Sequence, residues 1–129
     1  MHPNEMLVRR FYEARARDDR AAIRACLHPD VAWHDPYPEP HGGDLRGVDA
    51  VFAQIFDAAG EVTGGSGRLV PHDVLANGEH AVALVNWSTS LHGRSMQGRE
   101  VAVFHVDSGL ITEAWFYPED PQAVTEFFR

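Results

Sequence analysis

Asp35 stands where a predicted strand ends, and it is the first residue of this sequence whose position suggests chemistry. The stretch VAWHDPYPEP opens with residues typical of a half-buried strand, and its three prolines end that strand because proline donates no ladder hydrogen bond. Pro36 restricts Asp35 to extended conformations, so the direction of the carboxylate is fixed before any substrate arrives. A carboxylate held in this way suits a general base, and the alternative is an ordinary Asp-Pro turn.

Glu100 is the second candidate, near the start of the stretch REVAVFHV. Strand alternation places it on one face with Ala102 and Phe104, but the opposite face is also apolar, so alternation does not decide which face is buried. If Glu100 faces inward, burial raises its pKa and favours the neutral carboxyl, which can donate a hydrogen bond to a developing oxyanion. The alternative is that Glu100 begins its strand in solvent and pairs with Arg99.

Three tryptophans lie on predicted strands. Trp33 is two residues before Asp35 and therefore shares its face, and Trp87 is expected to face inward because serines alternate with it. Trp115 is opposite in phase to Phe116 and is expected on the outer face of the sheet. An exposed aromatic residue there favours a subunit interface.

Eight histidines raise the question of a metal site. The sequence has no H-x-x-x-H motif and no Cys/His cluster with ligand spacing, so no metal is predicted. His72 is expected to alternate inward with Val70 and Val74, as a second acid/base group. His41, beyond the prolines, is a candidate for the mouth of a cavity.

Composition limits the classes of function. The chain has 129 residues, enough for a real core, and the whole of 1–129 is interpreted as one domain. A net charge of −8 argues against nucleic acid and anionic membranes as partners. All 11 basic residues are arginines, which excludes Schiff-base lysine, P-loop and pyridoxal phosphate chemistry. The single cysteine, Cys26, and a charged N-terminus without a long apolar run indicate a cytoplasmic protein.

Periodicity predicts helices in the first half of the chain and strands in the second. Apolar residues recur at helical spacing in an N-terminal helix capped by Asn4, and a second helix, capped by Asp18 or Asp19, stops at His28-Pro29. A third helix covers GVDAVFAQIFDAAG. Four antiparallel strands and a C-terminal helix follow: RLVPHDVLA, HAVALVNWSTSL, REVAVFHV and LITEAWFY, then a helix from Asp120-Pro121, with turns at Asn77-Gly78, His92-Gly93 and Ser108-Gly109.

The order of these elements, together with WHDPYPEP, RGVDAVF and VFHVDSGLITEAW, resembles the nuclear transport factor 2-like superfamily, in particular its SnoaL-like and ketosteroid isomerase-like branch. The resemblance covers nearly the whole chain. It implies an α+β, cone-shaped domain in which N-terminal helices pack on a strongly curved mixed or antiparallel sheet and enclose a pocket. It also implies a homodimer.

Residue by residue, the resemblance assigns two carboxylates. The general-base aspartate of ketosteroid isomerases falls at Asp35. Their second aspartate, which is protonated, lies four residues before a phenylalanine, and the same count from Phe104 reaches Glu100. Their tyrosine on the first helix falls at Phe11, and the adjacent Tyr12 is expected to point elsewhere on the helix.

These residues predict a cofactor-independent acid/base enzyme of isomerase, dehydratase or cyclase type, which acts through an enolate on a small hydrophobic carbonyl substrate. Asp35 would move the proton and Glu100 would stabilise the oxyanion, and neither a metal nor a cofactor is predicted. Two alternatives stay open: a non-catalytic binding domain, and a dimerisation module whose pocket is filled by Trp33, Phe56 and Phe104. The predicted substrate-binding residues are Phe11, Trp33, Tyr37, Phe56, His72, Trp87, Phe104 and Phe116.

Overall fold

The computed structural model describes residues 1–36, 42–58, 60 and 64–128. Within this part of the chain, four helices pack on one six-stranded mixed sheet that is not closed into a barrel, so the predicted α+β class is confirmed. No helix among these residues is long and apolar enough to cross a membrane. The elements in chain order are α1 (Pro3–Ala16), α2 (Arg20–Cys26), β1 (Leu27–Asp35), β2 (Gly43–Arg46), α3 (Val48–Val51) with a π-helical continuation (Phe52–Ala58), β3 (Arg68–Ala76), β4 (His80–Leu91), β5 (Arg94–Asp107), β6 (Leu110–Pro118) and α4 (Pro121–Phe127).

The sheet has the strand order β2-β1-β6-β5-β4-β3. All neighbours are antiparallel except β1 and β6, which pair in parallel with Trp33 opposite Ala114. The predicted meander of four antiparallel strands in the second half is therefore confirmed. The parallel pairing places β1, which ends at Asp35, beside β6. Asp35 therefore lies next to the strands of the C-terminal half.

Two of the predicted hairpin turns have the backbone that tight turns of antiparallel strands require. His92 and Gly93 have φ values of 51° and 77°, and Ser108 and Gly109 have φ values of 52° and 78°. Positive φ at both central residues matches the right-handed twist of the flanking strands, and glycine adopts it without steric cost. These turns fix the register between β4, β5 and β6.

Before the third helix, the N-terminal half departs from the sequence prediction in three places. His2, rather than Asn4, caps α1, because its side chain accepts a hydrogen bond from the Asn4 backbone N–H. Strand β1 begins at Leu27 and runs through Pro29, whose position near the start of the strand avoids the loss of a ladder hydrogen bond. Strand β2 was not predicted, because GDLR is short and lacks a clear alternating pattern.

The third helix is α-helical only over Val48–Val51 and continues as a π-helix over Phe52–Ala58. The prediction of one regular helix was therefore wrong in its second half. Helical spacing of apolar residues is similar in both forms, so the sequence pattern does not separate them. The wider turn carries Phe56 into contact with the ring of Trp33, with 6.2 Å between centroids.

The core lies where α1 crosses the inner face of the sheet. Phe11 and Tyr12 of α1 are 0% and 1% exposed, and both rings contact Phe104 of β5, with centroids 6.1 and 6.3 Å apart. Burial of an aromatic side chain of this size stabilises a fold by about 1.5–3 kcal/mol. These contacts join the first helix to the central strands.

Gly98 of β5 has no side chain where the indole of Trp87 lies across the sheet. The two residues are directly opposite in the β4–β5 ladder, and a Cβ atom at position 98 would lie 2.8 Å from Cζ2 of Trp87. Real Cβ contacts are not this short, so the indole would have to move. The absence of a side chain at 98 therefore fixes where Trp87 lies.

Gly98→Ala is expected to lower the free energy of unfolding by about 1–3 kcal/mol, because overpacking forces the indole or the strand to shift. Urea denaturation followed by tryptophan fluorescence measures the change. Gly78→Ala is the matched control, since a Cβ atom there meets nothing within 4 Å. Equal stability of the two variants would contradict the packing account.

Candidate active site

A cavity of about 910 Å³ lies between the helices and the inner face of the sheet and opens to solvent. Both predicted carboxylates, Asp35 and Glu100, line it. Its volume is in the range typical of small-molecule sites. Four of the predicted aromatic residues also line it: Trp33, Phe56, Trp87 and Phe116.

Trp33 and Asp35 share the inner face of β1, as their spacing of two predicts. The Trp33 ring is 1% exposed and packs against the Phe116 ring, with centroids 4.8 Å apart. Asp35 is the last residue of β1 and is followed by Pro36, which also lines the cavity. The carboxylate therefore stands at a rigid strand end beside an aromatic wall.

Phe11 and Phe104 do not line the cavity, because both are fully buried behind its wall. The Phe11 centroid is 6.0 Å from that of Trp33, and the Phe104 centroid is 6.1 Å from that of Phe116. They support the residues that do line it. Tyr37 and His41 lie outside the residues that the structure describes.

The prediction that His72 faces inward is wrong. The pairing of β3 with β4 shifts between Pro71 and Asp73, so one extra residue lies on β3 at this point. Such a bulge reverses the alternation of the strand. Val74 is accordingly buried while Val70 is 60% exposed, and His72 is exposed and is not among the described residues of the cavity.

Glu100 lies inside a long strand rather than at the start of one. Strand β5 begins at Arg94, and Glu100 has a ladder partner on both β4 and β6. The alternative in which Glu100 pairs with Arg99 in solvent is wrong, because the Arg99 guanidinium binds Glu119, with Nε–Oε2 and Nη2–Oε1 distances of 3.1 and 2.6 Å. Glu100 is partly buried and faces the cavity.

The surroundings of Glu100 raise its pKa. Burial raises the pKa of Glu100 to about 7, the positive charge of Arg15 opposes this increase, and the negative charge of Asp35 adds to it. At neutral pH the protonated and ionised forms of Glu100 are therefore both populated. A neutral carboxyl beside a second carboxyl can donate a hydrogen bond while its neighbour accepts a proton.

Tyr12 was set aside in the sequence analysis because Phe11 occupies the matching position, but it lies close to the site. Its ring is buried, and Glu100 is near enough for its charge to affect the Tyr12 pKa, which burial and that charge both raise. Its hydroxyl is buried without a hydrogen-bond partner among the described residues, as are Nε1 of Trp33 and Nε1 of Trp87. Unsatisfied buried polar groups are rare and occur at functional sites.

Three arginines, Arg15, Arg20 and Arg68, are among the described residues that line the cavity. Arg15 is the one whose charge acts on Glu100, and the sequence analysis did not select it. Its guanidinium lies over the ring of Phe56, 4.8 Å from the centroid, and 5.8 Å from the centroid of Phe11. It also lines the cavity. The available signal was spacing, because Arg15 is four residues after Phe11 and therefore one helical turn away on the same face.

Among the described residues, no group of three or more His, Cys, Asp or Glu side chains is arranged to hold a metal ion. The charged groups among the described residues of the cavity are the carboxyls of Asp18, Asp35, Asp57 and Glu100 and the guanidinium groups of Arg15, Arg20 and Arg68. Their chemistry is proton transfer and binding of polar or charged oxygen atoms.

The fold is shared with solved structures of the nuclear transport factor 2-like class. Bal32a, from a soil-derived mobile gene cassette, superposes with a TM-score of 0.92 at 26% identity and covers 98% of this chain and 97% of its own. An NTF2-like protein of unknown function from Burkholderia pseudomallei K96243 has a TM-score of 0.84 at 29% identity, over 99% and 98% of the two chains. Helices packed on one face of a mixed sheet that is not closed are the shared feature.

The sequence matches the SnoaL-like domain over residues 8–114, and the chain belongs to that family. Uncharacterised proteins of Mycobacterium tuberculosis and Mycobacterium bovis are 33% identical over 123 residues, which is 95% of this chain and 93% of theirs. The family includes polyketide cyclases and isomerases. The chain is therefore a member of a family that contains acid/base enzymes.

Replacement of Glu100 by Gln is expected to change how stability depends on pH. Between pH 4.5 and about 7 the folded wild type keeps a proton that the unfolded chain releases, so its free energy of unfolding falls as the pH rises. The variant does not lose stability in this way. For a pKa shift of this size, the loss in the wild type is roughly 3 kcal/mol in the free energy of unfolding. Urea denaturation at pH 4 and pH 8 measures both proteins.

Glu119→Gln is the control for that experiment. Pairing with Arg99 lowers the pKa of Glu119, so this variant should lose stability relative to wild type at neutral pH rather than gain it. A Glu100→Gln variant whose difference from wild type is the same at both pH values would contradict the burial of the carboxyl.

Tyr12→Phe is expected to be at least as stable as wild type, by up to about 1–3 kcal/mol, because it removes a buried hydroxyl without a partner. Thermal unfolding compares it with Tyr117→Phe, whose hydroxyl is on an exposed residue and whose loss should change little. A clear destabilisation by Tyr12→Phe alone would mean that the hydroxyl is hydrogen-bonded in solution.

Proposed function

We propose that the protein is a cofactor-independent acid/base enzyme that acts through an enolate on a small, largely hydrophobic carbonyl compound. The observation that carries the proposal is the meeting of Asp35 and Glu100 in one aromatic-walled cavity, where burial favours the protonated form of Glu100. Acid/base catalysis needs one group that accepts a proton and another that donates a hydrogen bond. Two carboxyls in different surroundings supply both.

In this proposal, the Asp35 carboxylate removes a proton from the carbon next to the substrate carbonyl. The electron pair of the broken C–H bond forms the C=C bond of the enolate, and the carbonyl π electrons move to the oxygen. The protonated Glu100 donates a hydrogen bond to that oxygen as its charge develops. The Asp35 carboxyl then returns the proton to the same or another carbon, which restores the enzyme.

The cavity walls support an apolar substrate with a flat surface. Trp33 and Phe116 pack together on one wall, Phe56 contacts Trp33 from the π-helical segment, and Trp87 lies on β4. Aromatic faces bind planar apolar molecules over a large area, and this contact desolvates few polar groups. The guanidinium of Arg15 also lines the cavity and can donate hydrogen bonds to a further substrate oxygen.

Isomerisation, dehydration and ring closure all pass through an enolate, and the same two carboxyls serve each of them. Membership of the SnoaL-like family is consistent with the isomerase and cyclase types. The homodimer implied by the resemblance remains a prediction.

Two observations favour an enzyme over the non-catalytic alternatives. Glu100 lies in the cavity wall rather than in open solvent, which is the arrangement that oxyanion stabilisation needs. Trp33 and Phe56 line an open cavity, and Phe104 lies behind it, so these three rings do not fill the space as a pure dimerisation module would require.

The test is the exchange of α-protons of enolisable cyclic and aryl ketones in D2O, followed by proton NMR. Asp35→Asn is expected to slow the exchange by about 10²–10⁴-fold, the usual contribution of a general base. Asp57→Asn is the matched control, because Asp57 also lines the cavity but is half exposed and binds Arg20. Ketones that bind, but whose exchange is no faster with wild type than with Asp35→Asn, would indicate a binding domain instead.

A further inference from the structure

The outer face of the sheet carries a histidine directly beside the proposed base. His34 precedes Asp35 on β1 and points to the opposite face. Its Nδ1 lies 2.8 Å from Oδ1 of Asp44 on β2, and its Nε2 lies 2.7 Å from Oε2 of Glu113 on β6. The ring also stacks on Trp115 of β6, with centroids 5.3 Å apart and planes 19° from parallel. One side chain therefore contacts both neighbouring strands.

These contacts define the protonation state of His34. An ionised carboxylate only accepts hydrogen bonds, so each ring nitrogen must carry a proton to bond with Asp44 and Glu113. A histidine with both nitrogens protonated is the imidazolium cation. The hydrogen bond to Asp44 is the main cause that raises the pKa of His34, Glu113 adds to it, and partial burial opposes it. Two further charged or titratable groups among the described residues lie near His34 on this face: His105 of β5, whose Nδ1 lies 3.9 Å from Oε1 of Glu113, and Arg46, two residues after Asp44 on β2.

Asp35 lies where the ladders of β1 end. The ladder between β1 and β6 ends at the pair His34–Trp115, and Asp35 is the partner of Gly43 in the ladder between β1 and β2. Strand β2 is a four-residue edge strand, and the residue after Asp35 is proline, which donates no hydrogen bond. The last side-chain link across β2, β1 and β6 before Asp35 is the one through His34.

We propose that His34, as an imidazolium, is a positioning residue that ties the end of β1 to β2 and β6 and so fixes the direction of the Asp35 carboxylate in the cavity. This inference rests on the proposed role of Asp35 as the base. A base that is misplaced by about 1 Å loses on the order of 10²-fold in rate, so the position of this strand end matters for proton transfer.

A pH dependence follows from the charge on His34. Its pKa is raised in the folded protein, so the link contributes fully below the pKa of a free histidine and is lost as the pH rises through the folded value. Deprotonation removes one of the two donors, and either Asp44 or Glu113 then loses its hydrogen bond. The end of β1 is therefore held most firmly at a pH below the pKa of a free histidine.

The experiment compares His34→Gln, His34→Arg and the control His80→Gln by NMR. His80 is an exposed histidine of β4 that contacts His105 and is not on β1, β2 or β6. In wild type at pH 6, both ring nitrogens of His34 should show the ¹⁵N shifts of a protonated imidazole. In His34→Gln, the carboxyl ¹³C signal of Asp35 should move and the amide protons of Asp35 and Gly43 should exchange faster. His34→Arg should restore both signals, because a guanidinium is a permanent cation that can donate to two carboxylates.

Turnover provides a second and separate result. With a ketone that the wild type exchanges, kcat should fall by about 10- to 100-fold in His34→Gln with little change in KM, since the position of the base and not substrate binding is altered. If the wild type exchanges no ketone, the proposed function fails and the NMR results alone decide the role of His34. A neutral His34 ring at pH 6, or Asp35 signals in His34→Gln that match those in His80→Gln, would overturn the inference.

Discussion

The site depends on one feature: the Glu100 carboxyl is buried near the Asp35 carboxyl. Glu100 is held in the wall of an aromatic cavity, where burial raises its pKa to about 7, and the charge of Asp35 acts in the same direction. Two ionised carboxylates in such a place would be costly, so the proton stays with one of them. That unequal sharing of protons is the property that acid/base chemistry uses. Arg15 only moderates the effect.

Three parts of the fold meet this constraint together. Strand β1 ends at Asp35, so the carboxylate leaves a rigid element at the cavity wall. The tight turn at His92-Gly93 fixes the register of β4 and β5, and that register turns Glu100 inward between two partner strands. Helix α1 covers this part of the sheet, which buries Tyr12 and brings Arg15 over the ring of Phe56. None of these elements creates the site alone.

Local pattern in the sequence predicts a large part of this arrangement. The shared face of Trp33 and Asp35 follows from a spacing of two, and the hairpin turns follow from their glycines, because both effects are short-range. The orientation of the Glu100 side chain was ambiguous because both faces of its strand are apolar. Only the resemblance to ketosteroid isomerases favoured the inward face. The prediction for His72 was wrong because a single-residue bulge next to Pro71 reverses alternation, and a proline in a strand fits an edge strand as well as a bulge. Tyr12 and Glu100 come close only in the tertiary structure, so the periodicity of one helix does not predict it.

The measurement that tests the central claim most directly is a ¹³C NMR titration of the side-chain carboxyls of the wild-type protein, with Asp35→Asn and Glu100→Gln used for assignment. The account predicts two separate steps, with Glu100 keeping its proton up to about pH 7. It also predicts that the Glu100 midpoint falls in Asp35→Asn, since the neighbouring negative charge is then gone. A Glu100 signal that titrates near the ordinary value for glutamate, unaffected by Asp35→Asn, would contradict the paired-carboxyl site and the enolate chemistry that depends on it.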